Sequence, residues 1–179
     1  RFAPYISAIL NITPDHLDRH GDFLSYAAAK KNIFAFQNEG FCVLNADDPV
    51  IRAIEWRGKA QKLFFSTERK PEGCYLDNGK IILKKGGTKD TVCDASALKI
   101  KGVHNIQNAV CALIVCRELG LDVDELRRGL LSFEGVEHRL ESAGSVKGVK
   151  FVNDSKSTNV DSTIKAVNAF GEKTYLILG

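Results

Sequence analysis

Methionine is absent from the 179 residues, tryptophan occurs once and proline four times. With arginine at position 1, the chain is not expected to begin at a translation start, and it reads as a piece of something longer. The five cysteines (Cys42, Cys74, Cys93, Cys111 and Cys116) are odd in number and include no C-x-x-C pair. That excludes a disulfide framework and predicts reduced thiols in a cytoplasmic protein. No signal-peptide pattern opens the chain. Apolar runs such as Ala109 to Cys116 fall well short of the roughly 20 residues a membrane span needs, so no membrane insertion is expected. Charge is also nearly balanced, with 25 basic against 22 acidic residues, net +3 and no run of five basic side chains. A nucleic-acid partner is not expected from such a surface. Finally, no G-x-x-x-x-G-K-[ST] occurs; Gly171-Glu172-Lys173-Thr174 has no glycine directly before its lysine. A phosphate-cradling loop of that type is therefore missing from this sequence.

What remains is 44% apolar and 26% charged, an ordinary globular composition. Tyr5 to Leu10 reads as a strand, and a helix follows from about Asp22, its expected N-cap, to Phe36. Phe41 to Leu44 is a short buried strand. Asn45 to Pro49 turns into a helix expected to reach Trp56, with proline in its first turn. Lys62 to Phe65 is a third strand. This alternation is the grammar of an α/β fold with a parallel sheet. The stretch 71–103 differs: Tyr75 to Leu83 folds around Asn78-Gly79, a strong hairpin signal, and predicts a small antiparallel β insertion. Helices are expected at Asn105 to Leu119 and Val123 to Phe133, and a hinge at Gly135 to His138. A second hairpin should pair Leu140 to Val146 with Val149 to Asn153. A helix over Asp161 to Phe170 and a strand at Tyr175 to Gly179 complete the pattern.

Several polar clusters are candidates for chemistry. Asp15-His16-Leu17-Asp18-Arg19-His20 follows a strand, where α/β folds bind ligands, and its imidazoles and carboxylates suit Mg²⁺, Mn²⁺ or Zn²⁺. A solvated, capped loop explains the same residues. Lys30 falls at helical spacing among Phe23, Tyr26, Ala27, Ile33 and Phe34. It either snorkels past small neighbours or is a desolvated amine open to covalent modification. Asn105 and Asn108 share a helix face and suit a planar base, although Asn105 could equally cap the helix. Arg139 at the hinge could reach a phosphate or pair with Glu137 or Glu141. Asn153 to Asn159 is seven consecutive polar residues between strand and helix, more than a cap needs. There Asp154 can accept from a ribose hydroxyl, while Ser155 and Lys156 can hold phosphate or carboxylate.

Six blocks together resemble the Mur ligase family of peptidoglycan synthesis. They are Asn11 to His20, Ala28 to Lys30, Asn45 to Asp48, Gly102 to Ala109, Gly135 to Arg139 and Asn153 to Asn159. The first five also echo folylpolyglutamate synthase. The last has the form carried by the branch that adds D-glutamate to UDP-N-acetylmuramoyl-L-alanine. The resemblance implies a P-loop-NTPase-like central domain without its first strands and P-loop, over residues 1–136. It implies the start of a Rossmann-like C-terminal α/β domain over residues 137–179. It also implies ATP and Mg²⁺ as cofactors, His16 and a carbamylated Lys30 as metal ligands, and Asn105 and Asn108 around adenine. Arg139 matches a catalytic residue on the ATP phosphates, Asp154 one near the ribose, and Thr158 one contacting D-glutamate, with Ser155 and Lys156 beside it. A cytoplasmic monomer is expected, and these residues alone are not expected to hydrolyse ATP. Rival readings are a sister amide ligase, a metallohydrolase using Asp15, His16, Asp18 and His20, and a non-catalytic scaffold.

Overall fold

The computed structural model describes residues 2–55, 58–171 and 173–178. Its main feature is a six-stranded sheet in the order β1 (Ile6–Ile9), β2 (Phe41–Asn45), β3 (Gln61–Ser66), β4 (Gly73–Asp77), β5 (Lys80–Lys85) and β6 (Thr88–Asp94). The first three strands and β4 pair in parallel; β4, β5 and β6 pair antiparallel. The expected antiparallel segment thus forms, and it is continuous with the parallel strands through the β3–β4 pairing. Its turn has Asn78 at φ 48° and Gly79 at φ 76°. Two successive positive φ values match the right-handed twist of the flanking strands, and Asn-Gly adopts them at low cost.

Alternation along each strand divides the core into two layers. Val43, Leu63 and Phe65 face α4 (Val103–Glu118) and α5 (Val123–Ser132), together with Cys74, Ile81 and Val92. Cys42, Leu44 and Ile9 face the opposite way, against Tyr26 and Phe34 near α2 (Phe23–Lys31) and Ile51 of α3 (Pro49–Arg52). Helices therefore cover both faces, as parallel strands require. The edge strand β6 is blunted by Arg127, which donates to the carbonyls of Thr91 (3.1 Å) and Val92 (2.5 Å). Burial raises the thiols of Cys42 and Cys111 to about 12, and Cys74 is raised as well, so all three stay protonated.

Helix starts follow their caps. Asp22 accepts from Ser25 N at 2.7 Å, as its position predicts. Asp48 accepts from Val50 N and Ile51 N, with proline at the first helical position. The helix it opens ends at Arg52, shorter than expected; Trp56 lies outside the described residues. After α5 the chain forms a separate hairpin, β7 (Glu141–Val146) with β8 (Val149–Asn153), and then α6 (Val160–Asn168). Among the described residues, none beyond Leu131 belongs to either core layer. The strand expected at Tyr175 to Gly179 does not form over 173–178, and Gly179 is outside the described residues. A strand is stabilised by a ladder with a neighbour, and that segment pairs with none among the described residues.

Candidate functional site

Parallel strands end their carboxyl termini along one edge, and the loops there are tied to one another. Asn45 Nδ2 donates to the carbonyl of Leu10 (2.8 Å), while Asn45 Oδ1 accepts from Asp47 N (2.8 Å). Asp48 accepts from Ile12 N (2.9 Å) as well as capping α3, and so fixes the loop leading to His16. Asp47 receives Ser66 Oγ, Thr67 N (2.7 Å) and Thr67 Oγ1 (3.1 Å). Three loops from three strands thus form one rim, the position where open α/β sheets bind ligands.

His16 stands on this rim in a left-handed conformation (φ 51°, ψ 33°), its side chain 68% exposed and its Nε2 3.6 Å from Asp15 Oδ2. His20 turns away to pack edge-on against Tyr26, with ring centroids 5.3 Å apart. Among the described residues no three of His, Cys, Asp or Glu converge as a metal cage. Mg²⁺ dehydrates reluctantly and commonly takes one or two protein ligands plus waters and phosphate oxygens. One exposed imidazole beside one carboxylate fits such a partial donor set. It does not fit a self-contained metallohydrolase centre built on Asp15, His16, Asp18 and His20.

Lys30 is exposed, not desolvated on an apolar stripe. Its Nζ lies 5.1 Å from the centroid of the Tyr26 ring, a cation–π contact. The helix stops at Lys31 and tightens into a 3₁₀ turn over Asn32–Phe34, so Tyr26 and Phe34 take the buried positions. His16 and Lys30 are connected through α1 (Leu17–His20), His20 and Tyr26.

A second group gathers where α4 begins. Gly102, not Asn105, is the N-cap, at φ 92°. A Cβ there would lie 2.7 Å from the His104 ring and 3.0 Å from Ala169 Cβ, so both backbone and space demand glycine. Asn105 sits one turn in and donates to Lys101 O (2.7 Å); Asn108 approaches its Oδ1 at 3.5 Å, the outer limit of a hydrogen bond. The two carboxamides share one face, as their spacing requires. His104, which the motif reading passed over, is surrounded by charge from Lys165, Asp154 and Arg139. Those charges act on His104 from the segments on either side of the second hairpin.

Partial burial lowers the His104 pKa below its usual 6.5; the Lys165 and Arg139 cations lower it further, and Asp154 opposes them. An unfolded chain then binds more protons than the folded one between the folded pKa and 6.5. Stability is present in full above 6.5 and declines as pH falls through that window. Denaturant midpoints measured across it should slope upward with pH, and His104→Gln should flatten the slope.

Arg139 is exposed and stands between two non-glycine residues at positive φ, His138 (65°) and Leu140 (48°). Such positions cost on the order of 1–3 kcal/mol each and persist only where the surroundings enforce them. Glu141 is not its ion-pair partner: that carboxylate takes His138 N (2.9 Å) and Asn153 Nδ2 (3.2 Å). Asp154 accepts from Leu140 N (3.0 Å) and from the Ser157 hydroxyl. Ser155, Lys156 and Thr158 are exposed on the same loop. Thr158 precedes Asn159, which caps α6 in a reciprocal box with Ser162.

The family model for the Mur ligase middle domain matches residues 1–116. The UDP-N-acetylmuramoylalanine--D-glutamate ligase of Pelotomaculum thermopropionicum is 41% identical over 180 residues, covering 99% of this chain and 40% of that protein. The protein of the same name from Koribacter versatilis is 44% identical over 181 residues, covering 100% of this chain and 40% of that one. Among solved structures, MurF from Acinetobacter baumannii superposes with a TM-score of 0.77 at 22% identity, over 93% of this chain and 37% of that one. The MurF ligase from Thermotoga maritima, in complex with ADP, does so with a TM-score of 0.67 at 23% identity, over 96% and 40%. Those structural likenesses establish the fold. The chain spans about 40% of the length of these curated relatives.

Proposed function

The chain belongs to the Mur ligase family, and on that premise we propose that it handles the nucleotide in an ATP-dependent ligase that joins D-glutamate to UDP-N-acetylmuramoyl-L-alanine. The observation that carries this reading is the 40–44% identity along the whole chain to proteins named for that reaction. It is supported by the polar block Asn153 to Asn159 next to Arg139 and the start of α4. Residues 137–179 would open a second domain; that none of the described residues there belongs to either core layer supports a boundary near residue 136. The reading implies a cytoplasmic protein, acting as a monomer.

A carboxylate resists attack because its charge repels the amine and it offers no good leaving group. Transfer of the ATP γ-phosphoryl group to the alanine carboxylate yields an acyl phosphate and ADP. The D-glutamate amine then attacks the acyl carbon and phosphate departs. Little of this needs a protein nucleophile, so positioning and charge stabilisation supply the rate. Arg139 would stabilise charge on the transferred phosphoryl group. Asn105 and Asn108 present paired amides suited to an adenine edge. Asp154 would accept from the ribose, and Ser155, Lys156 and Thr158 would orient D-glutamate. His16 would hold Mg²⁺, which when bound neutralises phosphate charge, and Lys30 would join it as a carbamate formed from its amine and CO₂.

Oxygen-18 in the alanine carboxylate tests the reaction class. One label should appear in the released phosphate; its complete absence would rule out an acyl phosphate. For the metal side, Lys30→Ala should lower activity on the order of 10–100-fold, with partial rescue by a short added carboxylate. Full activity in that variant would remove the carbamate role.

A further inference from the structure

Arg139 occupies a turn that should not hold its shape unaided. The residues on both sides, His138 and Leu140, have φ of 65° and 48°. Neither side chain relieves that conformation as glycine would, so an external restraint must keep it. The restraint is visible as a ring of hydrogen bonds. Glu141 Oε2 accepts from the His138 N–H at 2.9 Å and from Asn153 Nδ2 at 3.2 Å. The same Asn153 amide lies 2.9 Å from His138 Nδ1. Asp154 Oδ1 accepts the Leu140 N–H at 3.0 Å, and the His138 carbonyl accepts from Lys156 N at 3.1 Å. Glu141 and Asn153 are also the pair that closes the β7–β8 ladder, so the restraint is anchored in the hairpin.

We propose that Glu141 is a positioning residue for Arg139: with Asn153 it locks the left-handed turn that aims the guanidinium. This rests on the reading of Arg139 as a phosphate-binding group. Glu141 holds His138 while Asp154 holds Leu140; without the Glu141 acceptor, His138 relaxes toward a right-handed conformation and Arg139 re-aims. Both accepted protons meet one carboxylate oxygen, so a carbonyl oxygen at that place can accept them too. Charge on Glu141 is therefore not the requirement, while an acceptor is.

The test is a double-mutant cycle in the full-length protein that carries this sequence, read as the dissociation constant for MgATP with thermal midpoints alongside. Glu141→Ala should weaken binding on the order of tenfold, and Glu141→Gln should stay within about twofold of the wild type. In an Arg139→Ala background, Glu141→Ala should add nothing further. Equal factors in both backgrounds, or a Gln variant as weak as Ala, would overturn the inference while leaving Arg139 on the phosphates. An Arg139→Ala protein with unchanged affinity would overturn the reading of Arg139 itself, and this inference with it. If Glu141→Ala does not fold, Asn153→Ala takes its place in the cycle with the same expectations.

Discussion

Arg139→Ala in the full-length protein is expected to reduce D-glutamate-dependent phosphate release on the order of 10³-fold, with thermal stability nearly unchanged. The side chain is exposed, and its loop is held through backbone groups and through Glu141, Asn153 and Asp154. Removing the guanidinium therefore leaves the lock intact and deletes only what, on the proposed reading, it would contribute to the transferred phosphoryl group. Arg139→Lys should recover little, because a point ammonium does not reproduce two parallel N–H donors. Steady-state phosphate release and a melting curve on the same samples check both halves. A rate within about threefold of the wild type would remove Arg139 from the chemistry.

Phe65→Ala is expected to cost about 4 kcal/mol, the typical loss for a buried aromatic ring in a packed core. Phe65 is 0% exposed on β3, whose backbone pairs with Asn45 on one side and Cys74 on the other. Its ring belongs to the layer that also contains Val43, Cys74 and Val110. Few neighbours there can collapse into the space without moving the sheet. A typical domain has only about 5–15 kcal/mol in total, so the variant should be close to unfolding at physiological temperature. Leu24, 79% exposed on α2, provides the control. Its replacement by alanine should change stability by less than about 0.5 kcal/mol. Urea midpoints of the two variants separate the cases.

The elements that sequence reading located are those fixed by local chemistry. Asn78-Gly79 dictates its turn from two residues, Asp22 and Asp48 cap helices by accepting nearby N–H groups, and alternation along Phe41 to Phe65 separates the two core layers. Lys30 escaped the same method because helical spacing assumes the helix continues. The chain tightens at Asn32, and the lysine ends over a ring instead of inside the core. Asn105 was a plausible cap by residue type, yet Gly102 takes that place because His104 and Ala169 leave no room for a Cβ. The tighter of those contacts is with His104, two positions along, and the other comes from Ala169, far along the chain. Tyr175 to Leu178 carries a strand's composition without a neighbour to pair with among the described residues. The clamp on Arg139 joins Glu141 to Asn153 across a hairpin, a contact that spacing suggests only after the hairpin register is known. Residue pattern raises His16 as a metal ligand and Lys30 as a modifiable amine without deciding either, and the resemblance to a family makes that choice; the role of Thr158 rests on the resemblance alone, since an exposed threonine has many ordinary uses.

The decisive measurement is phosphate release by the full-length protein supplied with MgATP and UDP-N-acetylmuramoyl-L-alanine, offered D-glutamate, L-lysine or meso-diaminopimelate in turn. Release is expected with D-glutamate alone. Release that depends on one of the other amino acids, or no release with any of the three, would contradict it.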